Sequence, residues 1–288
     1  MPIFAKKRRI LKLLISIGYF ALHYIGYLIR WLLGRDSYST CTILYYHSIP
    51  DCQKDAFAHQ MDITKSLTIP ISIERIPELL PGKHYSSITF DDGFEDVIIN
   101  ALPETEKRLI PSAIFLTAGY LGQLAEWWPA LTAERKKIIA DAEKWQAITS
   151  KLVTIGSHSL THPSLSMLSE KEARRELCES RARLKKLLRR DINAFSFPYG
   201  DFNENLISWC REAGYKRIFT SMPGNAFLNE NEFISGRVAV EPTDWSLEFR
   251  LKLLGAYRWL PLAISWKRKI LLHFVSIGFG HRRYDALV

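Results

Sequence analysis

The stretch Ser87-Ile88-Thr89-Phe90-Asp91-Asp92-Gly93 joins a short apolar run to two adjacent acids and a glycine. Its first four residues, Ser87–Phe90, predict a β-strand, since β-branched and aromatic side chains favour strands. The two carboxylates that follow repel each other unless a cation or a proton separates them. The stretch therefore predicts a strand that carries a metal site at its carboxyl end.

Short runs of this kind recur along the chain and alternate with helical stretches. The predicted strands are Cys41–Tyr46, Ser87–Phe90, Ala113–Thr117, Leu152–Ile155, Ala194–Phe197, Arg217–Thr220 and Arg237–Val240. The clearest helix runs from Glu170 to about Leu188, with the capping-box pair Ser169 and Glu172 at its start. Alternating strands and helices imply a parallel sheet, and seven such units favour a closed barrel. We predict an α/β fold, an irregular seven-stranded parallel (β/α) barrel with amphipathic helical ends.

Polar side chains follow several of these strands at the point where each strand ends. They are His47 after the first strand, Asp91 and Asp92 after the second, His158 and His162 after the fourth, and Tyr199 after the fifth. Chemistry in such barrels lies at the carboxyl ends of the strands, so we expect these side chains to share one site. One carboxylate with two histidines leaves coordination positions open for water and substrate, as in catalytic zinc sites.

Three segments, in this order, carry a resemblance to a known family. They are Thr89-Phe90-Asp91-Asp92-Gly93, Ser157-His158-Ser159-Leu160-Thr161-His162-Pro163-Ser164-Leu165 and Phe197-Pro198-Tyr199-Gly200. In letters and spacing they resemble the first three motifs of the polysaccharide deacetylases, the NodB-like proteins of carbohydrate esterase family 4. The resemblance covers roughly residues 42–257 and implies a barrel of the NodB-homology type.

The resemblance also implies a role for each of these residues. Asp92, His158 and His162 would bind a divalent metal ion, usually zinc (Zn) in this family. Asp91 would be the general base that takes a proton from water. The backbone N–H of Tyr199 would help the metal to stabilise the oxyanion.

Two positions depart from the family pattern. Many members place an arginine three residues before the tyrosine of the third motif, where this chain has Ser196; Arg237 is the candidate to supply that guanidinium, with a structural ion pair as the alternative. The family's late Leu-x-His motif supplies the general acid, and Leu271-Leu272-His273 has these letters but lies in the basic tail. His47, at the end of the first predicted strand, is the preferred acid, with a supporting role in the core as the alternative.

The two ends of the chain differ in charge from the region between them. Residues 1–35 hold seven basic side chains and no acid, and residues 250–288 hold eight basic and one acidic. Because the net charge is +9, residues 36–249 are mildly acidic. We predict a catalytic domain at 36–249 between a basic amphipathic helix at 1–35 and a basic, aromatic-rich helical tail at 250–288. An acidic domain argues against nucleic acid as a partner, because nucleic-acid-binding domains carry a basic stripe.

The uncharged run Leu13–Ile29 predicts a helix that lies on a membrane surface. Polar or small residues occupy one helical face and apolar residues another: Lys12, Ser16, Tyr19, His23, Gly26 and Arg30 against Ile10, Leu14, Ile17, Ala21, Ile25, Leu28 and Leu32. This pattern is typical of an in-plane helix in a peripheral or monotopic membrane protein. The sequence does not decide the side of the membrane, although the cytoplasmic face is favoured. A signal anchor and a helix packed on the domain are the alternatives. The tail is interpreted as a second membrane-lying element or as a helix that closes the bottom of the barrel.

The resemblance to the polysaccharide deacetylases implies a metal-dependent hydrolase. Its substrate would be an acylated amino-sugar glycan of the cell envelope or a lipid-linked precursor, from which it removes an N-acetyl group. The alternatives are a deformylase or O-deacetylase of a lipid-linked sugar, a related metal hydrolase acting on a non-sugar amide, and a catalytically inactive glycan-binding protein on the same fold.

Overall fold

The computed structural model describes residues 3–34, 38–229 and 231–266. Its centre is a closed barrel of parallel strands. The strands are β1 (Thr40–Tyr46), β2 (Ile69–Pro70), β3 (His84–Phe90), β4 (Ser112–Leu116), β5 (Val153–Ser157), β6 (Ala194–Ser196), β7 (Arg217–Thr220) and β8 (Ile234–Ala239). All of these except β2 belong to the barrel; β2 pairs with the first half of β3 from outside the ring.

The barrel closes at β1, which pairs with both β8 and β3. The order around the ring is β1-β8-β7-β6-β5-β4-β3, and these pairings are parallel. Strands β5 and β6 meet at a single residue pair, Ser157 with Phe195, which makes the barrel irregular. The predicted seven-stranded parallel barrel is confirmed.

The last strand begins earlier than predicted. β8 starts at Ile234, three residues before Arg237, and its first half pairs with β7 from Ile234 to Gly236. This first half could not be recognised in the sequence, because it contains Ser235 and Gly236, and glycine is depleted in strands. Arg237 therefore lies within the strand and not at its start, and its side chain is buried inside the barrel.

Helices surround the barrel. They are α1 (Ile3–Leu32), α2 (Lys54–Leu67), α3 (Leu102–Lys107), α4 (Ala142–Ala147), α5 (Glu170–Leu188), α6 (Glu204–Glu212) and α7 (Ser246–Leu253). The predicted capping box at the start of α5 is present: the Ser169 hydroxyl accepts from the Glu172 backbone N–H, and the Glu172 carboxylate accepts from that of Ser169.

Side chains alternate along β1 between two apolar clusters. Leu44 and Tyr46 pack in the larger cluster, and Cys41 and Ile43 pack in the smaller one. The next residue on the side of Cys41 and Ile43 is Tyr45, which lines an open cavity. The barrel interior is therefore filled at the amino ends of its strands and open at their carboxyl ends.

The N-terminal helix α1 packs along the outside of the domain against α7. Leu13 and Phe20 contact the larger apolar cluster. Ser16 is fully buried, and its hydroxyl accepts a hydrogen bond of 2.9 Å from the indole N–H of Trp259. Among the described residues, the segment Lys6–Arg30 of α1 is long and apolar enough to cross a membrane, judged by length and composition.

The folded core extends past residue 249, where the sequence predicted its end. Leu251, Leu253, Ala256 and Tyr257 are buried in the larger apolar cluster. The predicted boundary is therefore too early, because α7 crosses it to cover the barrel. Residues 260–266 are helical again, and the rest of the predicted tail, including His273, lies outside the described residues.

Candidate active site

A cavity of about 350 Å³ opens at the carboxyl ends of the barrel strands. Its lining is formed by Tyr45, His47, Asp91, Trp127, Trp128, Pro129, His158, His162, Phe197, Tyr199, Gly200, Ser221 and Arg237. The four predicted catalytic residues, His47, Asp91, Tyr199 and Arg237, are thus brought to one place. A larger cavity of about 490 Å³, around Ala194 at the amino ends of the strands, contains none of the predicted site residues.

Asp92, His158 and His162 form a buried group beside this cavity. One ligand atom of each lies within 4.8 Å of the other two. Asp92 Oδ1 is 3.7 Å from Nε2 of His158 and 3.4 Å from Nε2 of His162. Within the described part of the chain this oxygen has no hydrogen-bond donor, although Asp92 is fully buried. A buried carboxylate oxygen that faces two imidazole nitrogens instead of a donor fits a divalent cation, and the ligand set suits zinc.

The backbone at the site is locally strained. Asp92, His162 and Tyr199 have φ angles of 70°, 63° and 57°, in the left-handed region that residues other than glycine seldom adopt. Gly93 follows with φ 89°, and a Cβ there would lie 2.4 Å from a methyl carbon of Leu116. The Asp-Asp-Gly sequence thus turns the chain sharply at the strand end. Strain of this kind clusters at functional sites, where the surrounding structure holds it in place.

Hydrogen bonds outside the Asp-His-His group orient its histidines. His158 Nδ1 lies 2.8 Å from the carbonyl oxygen of Ser196, so this nitrogen carries the proton and Nε2 keeps its lone pair. The buried Glu176 of α5 accepts from the backbone N–H groups of Leu160 and Thr161 at 2.8 and 2.9 Å, which fixes the turn before His162. Glu176 was not predicted as a site residue, because in the sequence it is one of several acids along a charged helix.

The carboxylate of Asp91 is held by the guanidinium of Arg237. Nη1 and Nη2 each donate to one Asp91 oxygen at 2.8 Å. Nη2 also donates to the Ser196 hydroxyl at 2.6 Å. Ser196 stands where the family pattern has an arginine, and here the guanidinium of Arg237 reaches this position from β8. The rings of Tyr45 and Phe115 lie 4.6 and 5.2 Å from the guanidinium carbon and enclose it.

The two adjacent aspartates have opposite pKa shifts. Burial alone would raise the pKa of Asp91, but the charge and hydrogen bonds of Arg237 outweigh it and hold the pKa below its usual range. Burial raises the pKa of Asp92 well above its usual range, and the charge of Asp91 raises it further. Asp91 is therefore the carboxylate that stays ionised, whereas Asp92 needs a proton or a cation beside it.

Burial keeps the two histidines of the group neutral. It lowers the pKa of His158 to about 4 and that of His162 to about 2. His47, across the cavity, also has a lowered pKa because of burial, while the charge of Asp91 acts in the opposite direction. Neutral imidazoles at 158 and 162 are in the form that binds a metal.

A pair of tryptophans completes the cavity wall. Trp127 stacks on the His162 ring at a centroid distance of 4.7 Å, and Trp128 meets the His47 ring edge-on at 5.4 Å. Both rings lie in the cavity lining and also pack against the larger apolar cluster, so the pair forms part of the cavity wall.

Fold and site together define a parallel (β/α)-barrel protein with a buried Asp-His-His group at the carboxyl ends of its strands. Residues 80–218 match the sequence model of the polysaccharide deacetylases, so the chain is similar to this family over that region. Among curated proteins it is 26% identical over 162 residues to YxkH of Bacillus subtilis (strain 168), whose name assigns it to the same family. It is also 26% identical over 156 residues to a poly-β-1,6-N-acetyl-D-glucosamine N-deacetylase of Staphylococcus aureus (strain MRSA252).

The aligned regions cover 56% and 53% of this chain and 53% of each of these proteins, so the chain spans about half the length of the curated relatives it matches. Solved structures show the same fold. IcaB from Ammonifex degensii aligns with a TM-score of 0.60 at 24% identity, over 75% of this chain and all of that one. The Streptococcus pyogenes deacetylase PplD aligns with a TM-score of 0.57 at 20% identity, over 76% of this chain and 98% of that one.

Proposed function

We propose that this protein is a metal-dependent hydrolase that removes the N-acetyl group from an amino sugar of a cell-envelope glycan. The observation that carries the proposal is the pairing of Asp91 with Arg237 beside Asp92, His158 and His162. An ionised carboxylate and a ligand set of one carboxylate and two imidazoles lie together in an open cavity. These are the parts that hydrolysis of an amide by an activated water requires.

Each residue of the chain has a distinct part in the proposed chemistry. Asp92, His158 and His162 would hold a divalent metal, which when bound would supply Lewis acidity to an acyl oxygen and to water. Asp91 accepts a proton from the attacking water, whose oxygen bonds to the acyl carbon. The backbone N–H of Tyr199 donates to the oxyanion that forms.

The C–N bond then breaks, and the nitrogen must gain a proton before it leaves as an amine. His47 lines the same cavity and, when protonated, donates that proton; burial lowers its pKa, and the nearby charge of Asp91 partly offsets this effect. The products are acetate and a free amino sugar.

The name of one relative supports a proposal for the glycan. The Staphylococcus aureus protein is named for the deacetylation of poly-β-1,6-N-acetyl-D-glucosamine. We infer that a polymer of N-acetylated hexosamine, or its lipid-linked form, is the substrate here. The aromatic rings of Trp127 and Trp128 in the cavity wall suit the apolar face of a sugar ring.

The test is acetate release by the purified protein with added zinc from β-1,6-linked N-acetylglucosamine oligomers and from peptidoglycan fragments. Free amine should appear in step with acetate, and Asp91→Asn should abolish most of both. Formate from an N-formyl sugar, or acetate without free amine, would identify the deformylase or O-deacetylase alternative. Glycan binding without any product would identify an inactive binding protein and contradict the proposal.

We also propose that α1 docks the protein on a membrane surface. The seven residues predicted for the apolar face of α1 are all exposed: Ile10, Leu14, Ile17, Ala21, Ile25, Leu28 and Leu32. On the opposite face, Ser16 is buried against the domain. The helix thus packs on the domain with one face and presents its apolar face outward. It could therefore lie on a membrane surface while it remains attached to the domain.

Ionic contacts attach α1 to the domain at its amino end. Arg9 donates to the Glu248 carboxylate at 2.7 Å, approaches Asp244 at 3.4 Å and lies over the ring of Trp245. The remaining basic residues near this end add attraction to anionic lipid, at about 1 kcal/mol for each charge close to the surface. Leu262 and Trp266, exposed on the last described helical turns, extend the apolar surface.

Cosedimentation with vesicles of phosphatidylcholine, with and without phosphatidylglycerol, tests this docking. The full chain should bind, more strongly with the anionic lipid, and Leu14→Asp with Ile25→Asp should release it. Met167→Glu is the matched control, because Met167 is an exposed apolar residue on the loop before α5. Equal binding by all three proteins, or by none, would contradict the proposal.

A further inference from the structure

One side chain touches both the Asp-His-His group and the proposed general acid. The indole N–H of Trp128 donates to Asp92 Oδ2 at 3.1 Å. The same ring meets His47 edge-on, with the planes at 85°. The sequence offered no reason to connect Trp128 with either residue, since it lies on the long segment between β4 and α4.

The hydrogen bond from Trp128 distinguishes the two oxygens of Asp92. Oδ2 is occupied by the indole N–H, and Oδ1 is left without a donor among the described residues and faces Nε2 of both histidines. The terminal torsion of an aspartate is broad, so a carboxylate with no such bond could turn. The indole N–H therefore selects Oδ1 as the single oxygen presented to a cation.

The segment that carries Trp128 is itself well fixed. The carbonyl oxygen of Trp128 accepts from Nη1 of Arg135 at 2.8 Å, and the backbone N–H of Trp128 donates to the carbonyl oxygen of Ala125 at 3.2 Å. A β-bridge between Ile139 and Phe94 ties the segment to the chain just after the Asp-Asp-Gly turn. Trp128 is thus held in place relative to the carboxylate that it contacts.

We propose that Trp128 is a positioning residue that fixes Asp92 as a one-oxygen metal ligand. The inference rests on the proposed metal site. Partners in this outer position typically change metal affinity by roughly 10–100-fold when they are removed. The effect should come from the N–H group and not from the size of the ring.

The neighbouring tryptophan provides a matched control. Trp127 lines the same cavity and stacks on a histidine of the group, yet its buried indole N–H has no hydrogen-bond partner within the described residues. Trp127→Phe and Trp128→Phe therefore remove the same atoms from adjacent positions. Only the second change removes a hydrogen bond to Asp92.

The experiment is a zinc titration of the metal-free protein against a competing chelator. Trp128→Phe should raise the Kd for zinc roughly 10–100-fold, and Trp127→Phe should leave it within about threefold. Turnover of Trp128→Phe should recover in part at saturating zinc, because the role is to hold the ligand. Should Trp128→Phe fail to fold, 3-benzothienyl-alanine at position 128 keeps the shape of the ring and replaces only the N–H.

The possible outcomes separate the two proposals. If the wild-type protein binds no zinc, the proposed metal site itself fails. If the wild type binds zinc and Trp128→Phe binds it equally well, or if both phenylalanine variants lose affinity to the same extent, the metal site stands and the positioning role of Trp128 is wrong.

Discussion

Arg237 and Asp91 form a buried, two-pronged ion pair inside the barrel, with each guanidinium nitrogen 2.8 Å from its own carboxylate oxygen. Asp91 directly precedes Asp92 in the chain, yet the two acids have different charge states. Asp91 is held ionised, and Asp92 is left as a carboxylate whose burial is tolerable only with a cation or a proton. Opposite pKa shifts in two adjacent carboxyl groups are what the proposed roles, Asp91 as base and Asp92 as metal ligand, require.

Replacing Arg237 by lysine should slow catalysis without removing metal. A lysine keeps the positive charge but cannot make two parallel hydrogen bonds, so Asp91 loses its fixed orientation. We expect kcat for acetate release to fall roughly 10²-fold, as for a small misplacement of a reacting group. Arg258→Lys, a change at a half-buried arginine near the start of β1, should leave kcat unchanged.

An exchange of positions tests the same pair more sharply. Arg237→Ser should lose most activity, and adding Ser196→Arg should restore part of it, because the guanidinium would then come from the position that many relatives use. Activity of the double variant no higher than that of Arg237→Ser would mean that the two positions are not equivalent.

The adjacent aspartates provide an isosteric comparison. Asp91→Asn should keep one metal ion and lower kcat by roughly 10²–10⁴, the usual range for a general base. Asp92→Asn should lose metal, since the amide removes the charge that faces the two histidines. Metal analysis and kcat of both proteins decide the assignment; loss of metal in Asp91→Asn with kcat retained at saturating metal would mean that the roles are exchanged.

Alanine variants of His47 and His273 test which histidine is the general acid. His47→Ala should lower kcat roughly 10²–10³-fold and remove the alkaline limb of the pH–rate profile, because the departing nitrogen loses its proton donor. His273→Ala should leave the chemistry nearly unchanged. A large loss of kcat in His273→Ala, with little change in His47→Ala, would make the late Leu-x-His motif the acid.

Metal binding should release a proton, and the pKa shifts identify its source. Burial holds the pKa values of His158 and His162 at about 4 and about 2, so at pH 5.5 both are neutral before metal arrives. Burial and the charge of Asp91 raise the pKa of Asp92, which favours the protonated form of that carboxyl in the metal-free protein. Zinc affinity should therefore rise with pH while Asp92 loses its proton, with up to about one proton released at pH 5.5. Calorimetry in buffers of different ionisation enthalpy measures this number, and a value of two or more would mean that the histidines bind protons.

The sequence predicted the barrel because its signals are local. Each strand is a short β-branched or aromatic run, and the polar residues follow directly, so His47, Asp91 and His158 could be placed from their own neighbours. The first half of β8 was missed because Ser235 and Gly236 form a strand only through pairing with β7.

The parts of the site that the sequence did not show depend on contacts between distant segments. Arg237 could be named only as a candidate, since its pairing with Asp91 joins residues 146 positions apart. Glu176 supports the histidine turn from a helix whose charges look solvent-exposed in the sequence. Trp128 reaches Asp92 from a loop that carries no periodic pattern, and the end of the core at residue 249 was misjudged because α7 mixes charged and apolar residues.

The central claim is that Asp92, His158 and His162 hold the metal on which amide hydrolysis depends. The most direct measurement is metal content and acetate release determined on the same preparations of wild type and of the double variant His158→Ala with His162→Ala. The wild type should contain about one metal ion per chain, lose acetate release on chelation and regain it on addition of zinc. The double variant should remain folded, contain no stoichiometric metal and release no acetate. Acetate release by the double variant at the wild-type rate would contradict the claim.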